Sequence, residues 1–131
     1  MFFSELILFS LGGGGYVLLE LLWRGWSHPS MFFLGGLCFR LLGLFRRRLP
    51  PLLVPFAGAA AITVLELAVG LLVNRLLGLS VWDYSSLPGN LLGQICPRYS
   101  LLWVLVSAAG AAVDFLLTER FPRLRPRDTA P

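Results

Sequence analysis

Hydrophobic residues run along this chain in four long stretches, at 2–23, 29–45, 51–77 and 99–117, separated by short polar punctuation. Each approaches the length of about 20 residues that an α-helix needs to cross a hydrocarbon core. In lipid the backbone amides must bond within their own segment, so each stretch predicts a helix. Pro29 and Pro97 stand at predicted helix starts, where a residue lacking an N–H is well tolerated. The expected fold is therefore all-α: a polytopic membrane protein, a four-helix transmembrane bundle with a re-entrant or interfacial loop between helices 3 and 4. Residues 1–119 form the transmembrane domain in this reading, and residues 120–131 an Arg/Pro-rich cytoplasmic tail that frays.

The exception to the apolar pattern is the connection at 78–98, unusually long for a compact domain, and long loops of this kind tend to carry function. It holds most of the stretch VWDYSSLPGNLLGQICPRYS (81–100), the most polar of the chain's interior. Trp82 and Tyr84 suit the headgroup level, where amphipathic rings gather. Asp83 or Ser85 is placed to cap a turn. Pro88-Gly89 has the order favoured at the centre of a type II turn. NLLGQI (90–95) reads as a short half-helix or re-entrant segment. Arg98 enters the fourth span near enough to pair with Glu66, Glu20 or Asp83. Two readings stand side by side: a binding rim built from Asp83, Asn90, Gln94, Arg98 and Tyr99, or an interfacial loop that anchors the bundle.

Composition agrees with lipid as the solvent. Charged residues make up 14% of the chain and hydrophobic ones 56%, with a mean hydropathy of +0.76; a soluble surface draws on roughly 25% charged residues. All 11 basic residues are Arg. The absence of Lys removes a P-loop lysine, a Schiff-base lysine and a lysine general base from consideration. Cys38, Cys96 and His28 are too few for a protein-only tetrahedral zinc site, and the two cysteines are expected as free thiols acting as small apolar residues. The N-terminal apolar run lacks a basic leader and a small-residue cleavage site, so it is expected to be the first span itself. Arginine placement predicts orientation. With both termini in the cytoplasm, Arg46, Arg47, Arg48, Arg120, Arg123, Arg125 and Arg127 lie inside, against Arg24, Arg75 and Arg98 outside. Arg40 is expected to snorkel toward the inner side. The long loop then faces outward. The Arg-rich tail meets anionic lipid rather than nucleic acid.

A partial repeat places two acids at matching points. GGGGYVLLEL (12–21) aligns without a gap on GAAAITVLEL (58–67), which sets Glu20 against Glu66 on two parallel helices. Real duplication and a shared packing requirement explain it equally well. An intramembrane acid is costly, about 2.5–3.5 kcal/mol on insertion scales, and marks a site hypothesis. Arg24 follows Glu20 by one helical turn, with Tyr16 on the same face. Gly70 and Asn74 share a face with Glu66, and Trp103, Ser107, Gly110 and Asp114 line up on the fourth span. Small residues at 12–15, 57–61 and 107–112 fall in the inner halves of their helices, where they permit close approach. Bulk and polarity fill the outer halves, which predicts a cone open to the outside with the loop capping it. Four consecutive glycines also raise the alternative of a break in the first span.

GYVLLELLWRG (15–25) together with WDYSSLPGNLLGQICPRYSLLW (82–103) resembles the bacterial ABC transporter type IV permease family. That resemblance implies a small polytopic inner-membrane protein. It implies a separate ATPase subunit as partner, because this chain has no nucleotide-binding motif. Three functional readings remain open. One is a transporter or permease component for a small solute, with substrate-binding candidates Glu20, Arg24, Glu66, Asn74, Asp83, Tyr84, Asn90, Gln94, Arg98 and Tyr99; a proton-coupled version would use Glu66 as the carrier. Another is a membrane enzyme on lipid headgroups, with Glu20, Glu66, Asp83 and His28 dividing acid and base roles, although no nucleophile motif is present. The third is a non-catalytic assembly subunit, with a homo-oligomer as a further option. No cofactor or metal is expected, membrane lipid is the surrounding partner, and catalysis is the less favoured outcome.

Overall fold

Four helices long and apolar enough to cross a membrane form where the apolar stretches lie, and the described residues contain no strand. The computed structural model describes residues 2–126. Helix α1 is Phe2–Arg24, α2 is Pro29–Arg48, α3 is Val54–Gly70 and α4 is Pro97–Arg120. Pro29 opens α2 behind an N-cap at His28, whose Nδ1 accepts from Ser30 N at 3.1 Å. Pro97 opens α4 behind Cys96, which makes no side-chain cap hydrogen bond. The third apolar stretch begins with a turn over 51–53, as Pro50 and Pro51 precede the helix. Cys38 and Cys96 are free.

Helix α2 is the hub. It packs against α1, α3 and α4, and α3 packs against α4, while α1 makes no broad contact with α3 or α4. Small residues explain this arrangement. A Cβ at Gly12 would collide with the Phe39 side chain of α2, and one at Gly58 would collide with Leu42 of α2 and Ser107 of α4. The two aligned glycines of the repeat therefore serve the same purpose, bringing α1 and α3 onto adjacent turns of one helix. The break considered for residues 12–15 does not occur, since α1 is continuous through them. The expected cone needs correction. Close approach is to α2, and α1 and α4 stand apart alongside Gly15 and Gly110, which line an open apolar groove.

The third span continues past Gly70, where α3 ends. It widens into a π-helical turn at Leu71–Leu76, closed by Leu77 N donating to Leu72 O at 2.9 Å. Wide turns of this kind re-aim side chains and recur at functional sites. Here the turn carries Asn74 toward the long loop.

The loop is made of turns rather than helix, so the half-helix expected for NLLGQI is replaced by a tight hairpin. Leu91 and Ile95 bridge, Leu91 N donates to Ile95 O at 2.9 Å, and Gln94 N donates to Leu91 O at 3.0 Å. Leu92 and Gly93 both take positive φ, 55° and 72°, the pair of values a type I′ turn requires. Periodicity could not reveal this, because a run as short as NLLGQI satisfies a helical and a turned reading equally. The Pro88-Gly89 turn does form, with Gly89 at φ 72° and Asn90 N reaching Leu87 O at 3.4 Å.

The start of the tail is ordered instead of frayed. Pro122–Leu124 makes a 3-10 turn against α1 and α4. Ser4 Oγ donates to Arg123 O at 3.0 Å, and Arg125 Nε donates to Thr118 O at 3.0 Å. Arg127, counted above among the inner arginines, and the rest of the tail lie outside the described residues.

Candidate functional site

The bundle has two chemically distinct ends. At the end where α1 finishes and α4 begins, the long loop covers a chamber of about 330 Å³. Its lining includes Glu20, Arg24, Glu66, Tyr84, Tyr99 and Trp103. Helix α1 supplies Glu20 and Arg24, α3 supplies Glu66, α4 supplies Tyr99 and Trp103, and the loop supplies Tyr84.

Glu66 lies at the centre of the polar set, only 3% exposed. Each of its carboxylate oxygens accepts one hydrogen bond: Oε2 from Trp103 Nε1 at 3.0 Å and Oε1 from Tyr84 Oη at 3.4 Å. A buried carboxylate needs such partners. Tyr84 is held over it by stacking on Tyr99, with ring centroids 4.7 Å apart and planes within 10°. Burial pushes the Tyr84 phenol above its ordinary pKa, and the charge of Glu66 adds to the shift, so Tyr84 stays a donor.

Glu20 and Arg24 pair across one helical turn, with Nε and Oε2 2.5 Å apart. Arg24 also ties α1 to the loop, donating from Nη1 to Val81 O at 2.6 Å, and its guanidinium lies 4.0 Å above the Trp26 ring. Its Nη2 is buried and has no hydrogen-bond partner among the described residues. An unpartnered guanidinium nitrogen is costly to bury, and Asp114 Oδ1 and Arg40 Nη1 at the opposite end are in the same position.

Only some of the residues singled out in the sequence gather here. Glu20, Arg24, Glu66, Tyr84 and Tyr99 do. Asn74, Gln94 and Asn90 hold the loop in shape instead. Asn74 Oδ1 accepts from Val81 N at 2.6 Å and Trp82 N at 3.4 Å, and its Nδ2 donates to Gln94 Oε1 at 2.8 Å. The buried Gln94 donates onward to Leu92 O at 2.9 Å. Asn90 Nδ2 donates to Leu87 O at 2.8 Å and Ser85 O at 3.2 Å, while its Oδ1 accepts from Gly93 N at 3.0 Å. Asp83 is exposed and caps a turn by accepting from Ser85 N at 2.9 Å. Hydrogen bonding from Ser85 holds its carboxyl below the ordinary value, with Arg75 assisting. Arg98 is also exposed, and no ion pair among the described residues joins it to Glu20, Glu66 or Asp83. Arg98 is one residue into α4 on the solvent-facing side, which takes it away from the acids. Asn74, Asp83, Asn90 and Gln94 do line a second hollow, of about 440 Å³, together with other loop residues.

Two other expectations change. Trp82 is buried, not a headgroup anchor. It packs with Met31, Leu34, Val73 and Val81, and its Nε1 donates to Gln94 O at 2.9 Å. The exposed rings at this end are Trp23, in the last turn of α1, and Trp26, in the connection from α1 to α2. His28 is occupied as the α2 cap and does not line the chamber, which separates it from the acids the enzyme reading needs.

The opposite end holds a cluster that sequence reasoning missed. Asp114 of α4 is fully buried, and Arg46 Nε meets its Oδ2 at 2.8 Å. Arg47 and Arg40 approach Asp114 at 3.9 and 3.7 Å. Arg40 reaches toward this same end, forking onto Glu5 in the first turn of α1 at 2.7 and 2.9 Å. Arg46 Nη2 also donates to Thr118 Oγ1 at 3.1 Å. The available signal was Asp114 itself, an acid near the end of an apolar helix opposite a run of arginines, but pairing depends on helix rotation. Among the described residues, no group of His, Cys, Asp and Glu is arranged to hold a metal.

Comparison with known proteins gives a family model, described as "Putative ABC-transporter type IV", that matches residues 15–127. No curated protein and no solved structure matches the chain.

Proposed function

Since the chain belongs to the ABC-transporter type IV family and is a multi-pass, transporter-like membrane protein, we propose that it is the membrane component of a transporter whose solute binds in the loop-capped chamber. The observation that carries this reading is the convergence of Glu20, Arg24, Glu66, Tyr84 and Tyr99 around one cavity of about 330 Å³. Intramembrane acids that face a cavity characteristically mark solute or ion pathways. Glu66 is the central acceptor, Arg24 with Glu20 forms a mixed-charge wall, and Tyr84 and Tyr99 form an aromatic lid. Asn74, Asn90 and Gln94 shape that lid from behind, and Asp83 and Arg98 lie at its rim. The arginine bias supports both termini in the cytoplasm of a bacterial inner membrane with the chamber outward. A chain without Lys has no P-loop of its own, so ATP-driven transport needs the separate ATPase subunit that the family implies, whereas the chain alone moves solute along a proton gradient with Glu66 as carrier.

A direct test uses the full chain in proteoliposomes under a pH gradient, with an entrapped pH dye and a panel of small polar solutes outside. Wild-type vesicles are expected to show solute-dependent flux, and Glu66→Gln vesicles to fall to the level of protein-free ones. Unchanged flux in Glu66→Gln removes Glu66 from the pathway.

A further inference from the structure

The chamber does not stand alone. Directly beneath it lies the groove between α1 and α4, about 440 Å³ in volume and lined by Leu11, Gly15, Leu19, Leu105, Gly110 and Val113 among others. Tyr16, Leu19, Leu34, Trp103 and Val106 line both spaces, so the two adjoin. The Tyr16 and Trp103 rings, 6.2 Å apart, stand at the boundary. Leu11, Leu19, Leu105 and Val113 are also exposed on the flanks of the groove. These flanks are apolar helix faces, so the groove opens sideways into the bilayer rather than to water.

We propose that groove and chamber together bind one membrane lipid with an ammonium headgroup, with one acyl chain lying between α1 and α4 and the head under the loop. The inference rests on the reading of the chamber as a binding site and names the class of molecule it takes. Four observations favour this occupant. The groove is apolar and its side opening admits what the bilayer contains. Its length along α4, from Trp103 to Val113, is about 15 Å at 1.5 Å per residue, about half of a hydrocarbon core of roughly 30 Å. A chain hanging from headgroup level to the bilayer midplane has that reach. The chamber matches the head in charge: Glu20 and Glu66 offer two carboxylates against the single guanidinium of Arg24, an excess that an ammonium group neutralises. The buried, unpartnered Nη2 of Arg24 supplies a donor for a lipid phosphate oxygen. A zwitterionic aminophospholipid presents both groups, whereas an anionic lipid satisfies Arg24 alone and leaves the acids opposed.

Glycine positions on α1 provide the test. A Cβ at Gly14 or at Gly15 meets nothing within 4 Å, but only Gly15 lines the groove. The full-length protein, stripped of lipid in detergent, is titrated with phosphatidylethanolamine or phosphatidylglycerol of identical chains, and bound lipid is counted by native mass spectrometry. Wild type is expected to prefer phosphatidylethanolamine by about tenfold, equivalent to about 1.4 kcal/mol. Gly15→Leu is expected to lose binding, Gly14→Leu to keep it, and Glu66→Gln to bind both lipids alike. Equal binding of the two lipids by wild type, or equal behaviour of Gly14→Leu and Gly15→Leu, overturns the proposal. Absence of lipid preference alongside Glu66-dependent solute flux overturns this inference and leaves the transport reading intact. Lipid preference lost in Glu66→Gln without any change in flux does the reverse.

Discussion

The two ends of this bundle hold similar charged groups and use them differently. At the arginine end, Asp114 has no exposed surface and faces Arg46 at 2.8 Å, while Arg40 forks onto Glu5. Space is filled there: a Cβ at Gly43 would meet the Asp114 carboxylate at 2.7 Å. At the loop end, Glu20, Arg24 and Glu66 surround a cavity. Buried charges locked onto one another join helices, whereas buried charges around a space are available to a ligand. Both ends carry intramembrane acids, so the presence of an acid does not distinguish staple from site. The space beside it does.

The comparison is most exposed to change at Asp114. Asp114→Ala removes the buried partner of Arg46 while Arg40 keeps Glu5, a loss of about 3 kcal/mol, the low end for breaking a buried pair because Arg46 is partly exposed. Thermal unfolding of the detergent-solubilised protein checks this, and a wild-type midpoint would show that the arginine end is no staple. Asn74→Ala is expected to cost less, about 1–3 kcal/mol, because it strands the Val81 amide and Gln94 Oε1 without their partner. Its signature is local: hydrogen exchange should accelerate across 80–95 while the helices keep their protection. Uniform acceleration over the whole chain would mean that the loop is not a separate lid. Glu66→Gln, by contrast, keeps the shape of the side chain and is read out through flux and lipid preference.

The smallest expected effect is at Asp83. Its folded pKa is depressed, so its turn is supported above the ordinary carboxylate range, and that support is lost as pH falls through the folded value. Protection of the Ser85 amide, measured against Asp83→Ala at each pH, should therefore converge with the variant on acidification. A difference that persists after full protonation would mean that the hydrogen bond to Ser85 does not depend on the carboxylate charge.

Much of the candidate site was legible as a set of residue types. Glu20 with Arg24 followed from i, i+4 spacing, since that relation is fixed within one helix. Glu66 stood out as an acid deep in an apolar run. Asn90 and Gln94, which suit a binding rim, and Asn74, a substrate-binding candidate on the face of Glu66, are equally conspicuous, but their amides close hydrogen bonds that hold the loop, and only the tertiary structure distinguishes a satisfied amide from a free one. Trp82 is a similar case. Its composition suits an interface, yet the loop folds back and buries it among Met31, Leu34 and Val73.

By itself the sequence determined the four spans, the all-helical class, the proline-started helices and the long loop, because apolar length and backbone chemistry act within a segment. Tertiary structure decided which polar groups meet. The π turn at Leu71–Leu76 aims Asn74 at the loop, helix rotation brings Asp114 to Arg46 rather than to lipid, and docking of every helix on α2 leaves α1 and α4 apart. Each outcome depends on crossing angle and phase between helices. A count of apolar residues holds neither, since every rotation of a uniformly apolar helix buries nearly the same surface.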